Sequence, residues 1–343
     1  MHGANLANPL VLLKDIVMQN DFANAKSTNA KMIPVIDISG AISGDGLDGV
    51  ADAIYNAAIN HGFFYISNHG IDPVLMEQAF AVSKAFFELP EVDKQAIAVD
   101  RNQRGWLAQG MSRMQGSKTY DLKEVFFWGP HTEADDMDVR ACKPLCAVNQ
   151  WPRYFPRLYE DLIPYYDAVC QIARHVMAAV AVSLDQPANF FDKAYAKPLA
   201  RGQMVYYPAS TLQDDAEARF GVAPHTDFGV LTVLLQDSSG GLQVRAKSGD
   251  WIEAPPISGT LVCNIGDLLA RWSNKRFAST IHRVINRTSH ARYSIPVFFD
   301  PNTDTVIDPV DLGISAENSL FKPVCTGEYI MGCNTKSFAQ YKK

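Results

Sequence analysis

Residues 222–244 read VAPHTDFGVLTVLLQDSSGGLQV, and this stretch decides the architecture. Val230–Leu235 is a mostly apolar run rich in strand formers. Gly240-Gly241 punctuates the chain, and Leu242–Val244 starts a second run. The same texture continues on both sides. Met204–Tyr207, Thr260–Ile265, His282–Ile285 and Tyr293–Phe299 are further short β-rich runs separated by Gly, Pro, Asp and Asn. Many short strands about ten residues apart predict a β-sandwich or barrel. Upstream, Leu158, Leu162, Tyr165, Tyr166, Val169, Ile172, Ala173, Val176 and Val180 recur at helical spacing. They predict one long helix from Tyr154 to about Leu184, interrupted near Pro164 and lying along a sheet. The N-terminal third is mixed α/β. Ile33–Ile38 and Phe63–Ile66 read as strands, and Leu47–Asn60 and Pro73–Phe87 as amphipathic helices. The first thirty residues read as a helical arm or tail. No linker or repeat is visible, so residues 1–343 are expected to form one compact unit. Within it, 1–150 is the N-terminal α/β region, and 151–343 holds the long helix and the β core.

Composition narrows the function. The 343 residues are 47% hydrophobic and 20% charged, with 31 Lys and Arg against 37 Asp and Glu, a formal net charge of −6. A sequence pI near 5.7 lacks the basic field of a nucleic-acid binder. No apolar run approaches the roughly eighteen residues of a membrane span, and Met1–Asn8 lacks the pattern of a secretory signal. Six scattered cysteines without a C-x-x-C pair fit free thiols in a reducing compartment, so the cytoplasm is the expected location. The oligomeric state stays open; a monomer is compatible.

Chemistry concentrates at three places. In an extended segment residues i and i+2 share a face, so His225 and Asp227 of His225-Thr226-Asp227 can converge on one point. A solvent-facing strand end would show the same pattern. His282, inside the β-rich Thr280–Val284, offers a second imidazole, although a core histidine would also fit there. Two His and one carboxylate form the set that holds one face of a non-haem Fe(II) and leaves three positions open. Ten positions on, Arg292 and Ser294 of Arg292-Tyr293-Ser294 share a strand face. A guanidinium fork and a hydroxyl suit a carboxylate. The flanking Ile295, Val297 and Phe298-Phe299 look buried, so Arg292 needs an anion: a nearby acid or a dicarboxylate cosubstrate.

With these residues in view, the chain resembles the Fe(II)/2-oxoglutarate-dependent dioxygenases of the isopenicillin N synthase-like family. The likeness spans nearly the whole chain. It includes Ile33-Pro34-Val35-Ile36-Asp37, Gly62–Gly70, Tyr206-Tyr207-Pro208, Gly240–Val244, Asn264-Ile265-Gly266-Asp267 and His282-Arg283-Val284. The resemblance implies a double-stranded β-helix (jelly-roll) core with helices outside. It implies that His225, Asp227 and His282 are iron ligands, that Arg292 and Ser294 bind the distal carboxylate of 2-oxoglutarate, and that Tyr207 hydrogen-bonds this cosubstrate. Fe(II), 2-oxoglutarate and O2 are the implied cofactors, with ascorbate as a reductant. The implied reaction oxidises a small-molecule substrate by hydroxylation, desaturation or cyclisation, releasing succinate and carbon dioxide.

From their position relative to these motifs, Arg104, Trp106, Arg113, Phe126, Trp128, Arg201, Arg271 and Phe299 are candidates for the substrate wall or mouth. The tail from Tyr329 to Lys343 is a candidate lid, with Tyr329, Ile330 and Phe338 as apolar contacts. Lys123 and Glu124 read as a solvated pair. Rival readings are an oxidase of the same fold that uses no 2-oxoglutarate, for which Gln340 is a weak pointer, a non-catalytic metal-binding relative, and a zinc hydrolase.

Overall fold

The structure is a computed structural model that describes residues 24–27 and 33–341. The arm expected over the first thirty residues lies, apart from 24–27, outside the described residues. The chain forms β1 (Val35–Asp37), β2 (Phe63–Ser67), β3 (Gly105–Leu107), β4 (Glu124–Trp128), β5 (Arg201–Tyr207) and β6 (Val222–His225). It continues with β7 (Leu231–Gln236), β8 (Leu242–Arg245), β9 (Trp251–Glu253), β10 (Leu261–Ile265), β11 (His282–Val284) and β12 (Arg292–Phe299). An eight-stranded sheet runs in the order β1-β2-β10-β7-β12-β5-β4-β3, and a four-stranded sheet in the order β6-β11-β8-β9. Strands of the N-terminal region thus complete the same sheet as those of the core. This is the double-stranded β-helix, with helices flanking it.

Two apolar layers follow from the period-two alternation of strands. Between the sheets, Val205, Tyr207 and Val262 of the large sheet meet Val222, Leu242, Val244 and Val284 of the small one. On the outer face of the large sheet, Phe64, Val233, Cys263, Ile295 and Val297 pack with Leu158, Tyr165, Val169 and Val176 of the helix Arg157–Ser183. That helix runs unbroken through Pro164. Pro164 is exposed, so the carbonyl that loses its donor there can be hydrated. Among the described residues no helix is long and apolar enough to cross a membrane.

The alternation also corrects part of the sequence reading. On β12, Arg292, Ser294, Pro296 and Phe298 face the space between the sheets, whereas Ile295, Val297 and Phe299 face the helices. Phe299 therefore stacks on Tyr195, 4.8 Å between centroids, instead of lining a pocket. Phe126 and Trp128 occupy the helix-facing positions of β4, and Trp128 meets Tyr166 edge-on at 5.9 Å. A Cβ at Gly202 would lie 2.1 Å from the Trp128 ring, so only glycine lets that indole lie across β5.

Candidate active site

His225 ends β6 and lies directly opposite His282 on β11 in the antiparallel register. The two rings come to 4.3 Å between centroids, and the His282 ring meets Phe63 edge-on at 5.1 Å. Each Nδ1 faces a backbone carbonyl: Ala223 O at 2.9 Å for His225 and Thr280 O at 3.1 Å for His282. A carbonyl only accepts, so each Nδ1 carries the proton and each Nε2 keeps its lone pair free. Those Nε2 atoms converge on Asp227 Oδ1, at 3.8 Å from His225 and 3.7 Å from His282. The other oxygen, Oδ2, accepts from Thr232 Oγ1 at 2.5 Å and Asn264 Nδ2 at 2.7 Å, which fixes the carboxylate plane.

Among the described residues this is the one cluster whose ligand atoms, all within 4.8 Å of one another, could hold a metal ion. Electrostatics suit a cation. Burial, and then the neighbouring His282 imidazole, push His225 well below the ordinary histidine range, so it is neutral. Burial works against the Asp227 charge. The charge that the two histidines carry when protonated and the bonds from Asn264 and Thr232 outweigh it and hold the carboxyl below its usual value. Two imidazole nitrogens and one carboxylate on one side of a point, with fixed outer partners, fit a divalent iron.

Beside this cluster the two sheets enclose a cavity of about 110 Å³. Arg292 lies on its wall, 1% exposed. Its Nε donates to Gly240 O at 2.6 Å and its guanidinium covers the Tyr207 ring at 4.8 Å, but Nη1 and Nη2 have no partner among the described residues. A buried guanidinium with two idle donors calls for an external anion, since leaving it unpaired costs several kcal/mol. A carboxylate matches the fork. Ser294 and Tyr207 line the same wall, and Tyr207 pairs with Arg292 across β5 and β12.

Of the candidate substrate and lid residues, Arg201 and Phe338 line the cavity. Besides Phe126, Trp128 and Phe299, the other wall candidates do not. Arg104 is buried behind the wall, donating to the carbonyls of Asn102, Gln103 and Leu145. Trp106 donates from Nε1 to Glu124 at 2.9 Å. Arg113 lies over Tyr120, and Arg271 is held between Phe321 and Tyr329. Ile330 packs in the helix-side core, and Gln340 does not line the cavity.

Lys123 is the main residue that sequence reasoning misplaced. Adjacent residues of extended chain point to opposite faces, so Glu124, the first residue of β4, pairs with Lys94 at 2.8 Å on the helix side while Lys123, just before the strand, is buried on the cavity wall. Gln103, Gln203, Phe298 and Asn334 also line the cavity. Gln203 and Phe298 could have been found by counting in twos from Tyr207 and Arg292. Gln103 and Asn334 carry no local signal.

Comparison with known proteins places the chain in a family. Residues 33–154 match the family described as non-haem dioxygenase in morphine synthesis N-terminal, and residues 202–301 match the 2OG-Fe(II) oxygenase superfamily. A 2-oxoglutarate-Fe(II) type oxidoreductase of Emericella nidulans is 34% identical over 325 residues, covering 90% of this chain and 92% of the relative. A homoarginine-6-hydroxylase of Oryza sativa subsp. japonica is 33% identical, covering 82% of this chain and 89% of the relative. The crystal structure of a full-length Neurospora crassa protein in complex with alpha-KG and thymine superposes with a TM-score of 0.77. It is 29% identical and covers 90% of this chain and 98% of that one. The chain belongs to the Fe(II)/2-oxoglutarate-dependent dioxygenases. It is an oxidoreductase that uses Fe(II), 2-oxoglutarate and O2 on a small molecule, and the oxidase without 2-oxoglutarate is not the supported reading.

Proposed function

We propose that His225, Asp227 and His282 hold the ferrous ion through Nε2, Oδ1 and Nε2, and that Arg292 anchors the distal carboxylate of 2-oxoglutarate with Ser294 and Tyr207 beside it. The pair of unpartnered Nη atoms on a 1% exposed arginine, in the same cavity as the His-Asp-His cluster, carries this reading. Once bound, iron and 2-oxoglutarate together activate O2, coupling decarboxylation to succinate with oxidation of a substrate C–H bond. The protein's own contribution is positional. Ala223 and Thr280 carbonyls fix the imidazole tautomers, and Thr232 and Asn264 fix the carboxylate. Val205, Val222, Leu242 and Val284 close the cavity with apolar surface, which keeps water from the reacting centre.

Arg201, Gln103, Gln203, Lys123 and Phe298 form the substrate wall in this reading. The ligands named for relatives, homoarginine, thymine and JA, differ in charge and shape, so this chain's own wall sets its preference. The test is oxygen-dependent succinate formation from 2-oxoglutarate by the Fe(II)-loaded protein across a small-molecule panel. Product mass distinguishes gain of oxygen from loss of two hydrogens. Turnover that proceeds without consuming 2-oxoglutarate would overturn the assignment.

A further inference from the structure

Three cationic side chains stand on the cavity wall, and two of them bring their own counter-ions. Arg201 Nη2 donates to Asp300 at 2.7 Å, and Nη1 donates to Gln103 Oε1 at 3.0 Å. Asp300 is fully buried and also accepts from the Val230 amide at 2.7 Å, so it is fixed behind Arg201. Lys123 lies 3.4 Å from Asp121, whose side chain is likewise buried and accepts from Ser112 Oγ and the Ala223 amide. Among the described residues Arg292 lacks a carboxylate partner, and the distal end of 2-oxoglutarate is assigned to it above. Asp227 is the anionic side chain of the wall.

The charges therefore close without a substrate. Arg201 is paired with Asp300 and Lys123 with Asp121, and the formal charges of Arg292, Asp227, a ferrous dication and a 2-oxoglutarate dianion sum to zero. An ionic substrate would find no opposite charge waiting, and a buried unpaired ion is costly. What remains is hydrogen-bond donor capacity. Arg201 Nε on β5 and the amide nitrogen of Asn334, on the C-terminal helix Thr326–Ser337, are buried without partners among the described residues. The Phe298 ring, with the Arg201 guanidinium 5.3 Å from its centroid, lines the same cavity and gives it an aromatic side.

We infer that the substrate compartment is built for an electrically neutral, flat small molecule bearing carbonyl acceptors, of amide, imide or ketone type, and that the Arg201–Asp300 and Lys123–Asp121 pairs make it discriminate against carboxylates and cations. This rests on the assignment of 2-oxoglutarate to Arg292. The discriminating probes are benzamide, benzoate and benzamidine, three flat molecules of nearly equal size that differ in charge. Each is titrated calorimetrically, under argon, into the full-length protein loaded with Fe(II) and 2-oxoglutarate. Benzamide should bind at least tenfold more tightly than either ion. Asp300→Asn keeps an acceptor for the Val230 amide but removes the counter-charge of Arg201, and should raise benzoate affinity at least tenfold. Asp121→Asn should act in the same direction through Lys123 and covers the case in which the first variant fails to fold. Equal or tighter binding of either ion by the native protein, binding of none of the three, or an unchanged ranking in the folded variants overturns the inference. The visible charge-transfer band formed when 2-oxoglutarate joins the Fe(II) protein is recorded first. Its absence would sink the cosubstrate assignment, whereas a normal band with the wrong ranking would sink the neutral-substrate inference alone.

Discussion

Replacing Arg292 with methionine separates the cost of an unpaired buried charge from the gain of binding an anion. In the unloaded protein the guanidinium is 1% exposed, makes one bond to Gly240 O, and rests on the Tyr207 ring. Those contacts contribute about 1–3 kcal/mol together. They are set against a desolvation cost of several kcal/mol for an arginine whose two terminal nitrogens have no partner. Arg292→Met should therefore leave the unloaded protein at least as stable as the native one. With 2-oxoglutarate the sign reverses. Two charge-assisted bonds at about 1.5–3 kcal/mol each are lost. At about 1.4 kcal/mol per tenfold, affinity for the cosubstrate should fall at least a hundredfold. Arg292→Lys, which keeps the charge and loses the fork, should fall between the two. Titration of 2-oxoglutarate by intrinsic fluorescence, with urea unfolding of the metal-free variants, reads both halves. A 2-oxoglutarate affinity within about threefold of native, or a variant destabilised by more than about 2 kcal/mol, refutes the reasoning.

Asp227→Ala should abolish iron-dependent succinate formation while the far-UV circular dichroism of the β core persists; retained activity would remove the residue from the proposed ligand set. Asn264→Ala, which deletes the 2.7 Å bond to Asp227 Oδ2, should weaken metal affinity about 10–100-fold in a competitive chelator titration, and an unchanged affinity would show that the carboxylate does not depend on it. Phe298→Ala and Phe299→Ala test the strand parity. The first should uncouple 2-oxoglutarate consumption from substrate oxidation with little loss of stability. The second should cost about 3–5 kcal/mol in denaturant unfolding and leave coupling intact. The opposite pattern would mean that β12 presents its other face to the cavity.

Much of the fold was legible because strand and helix periods are local properties. The run at Val230–Leu235 became β7, displaced by one residue at both ends, the run at Tyr293–Phe299 became β12, one residue longer at its start, and the long amphipathic pattern became the helix Arg157–Ser183. The cluster was legible in part for the same reason: i and i+2 on extended chain bring His225 and Asp227 together whatever the rest of the fold does. Which face of a strand looks inward is a different kind of fact. A run such as Phe298-Phe299 is apolar on both sides because one side meets the other sheet and the other side meets helices, so hydrophobicity alone assigns neither phenylalanine to the cavity. Lys123 and Glu124 looked like a solvated pair for a related reason: both have buried counter-ions that are distant or unremarkable in sequence.

The chain's own order of residues thus determined that there would be a β core with an outer helix, and that two imidazoles, a carboxylate and an arginine were available for one site. Only the assembled tertiary structure decided that His282 would stand across from His225, that Asn264 would hold Asp227 from 37 positions away, and that Asp300 would neutralise Arg201 from 99. Those pairings depend on strand order and register between segments far apart in the chain. Register is set by the summed burial of whole sheet faces, a quantity that no single stretch of sequence contains.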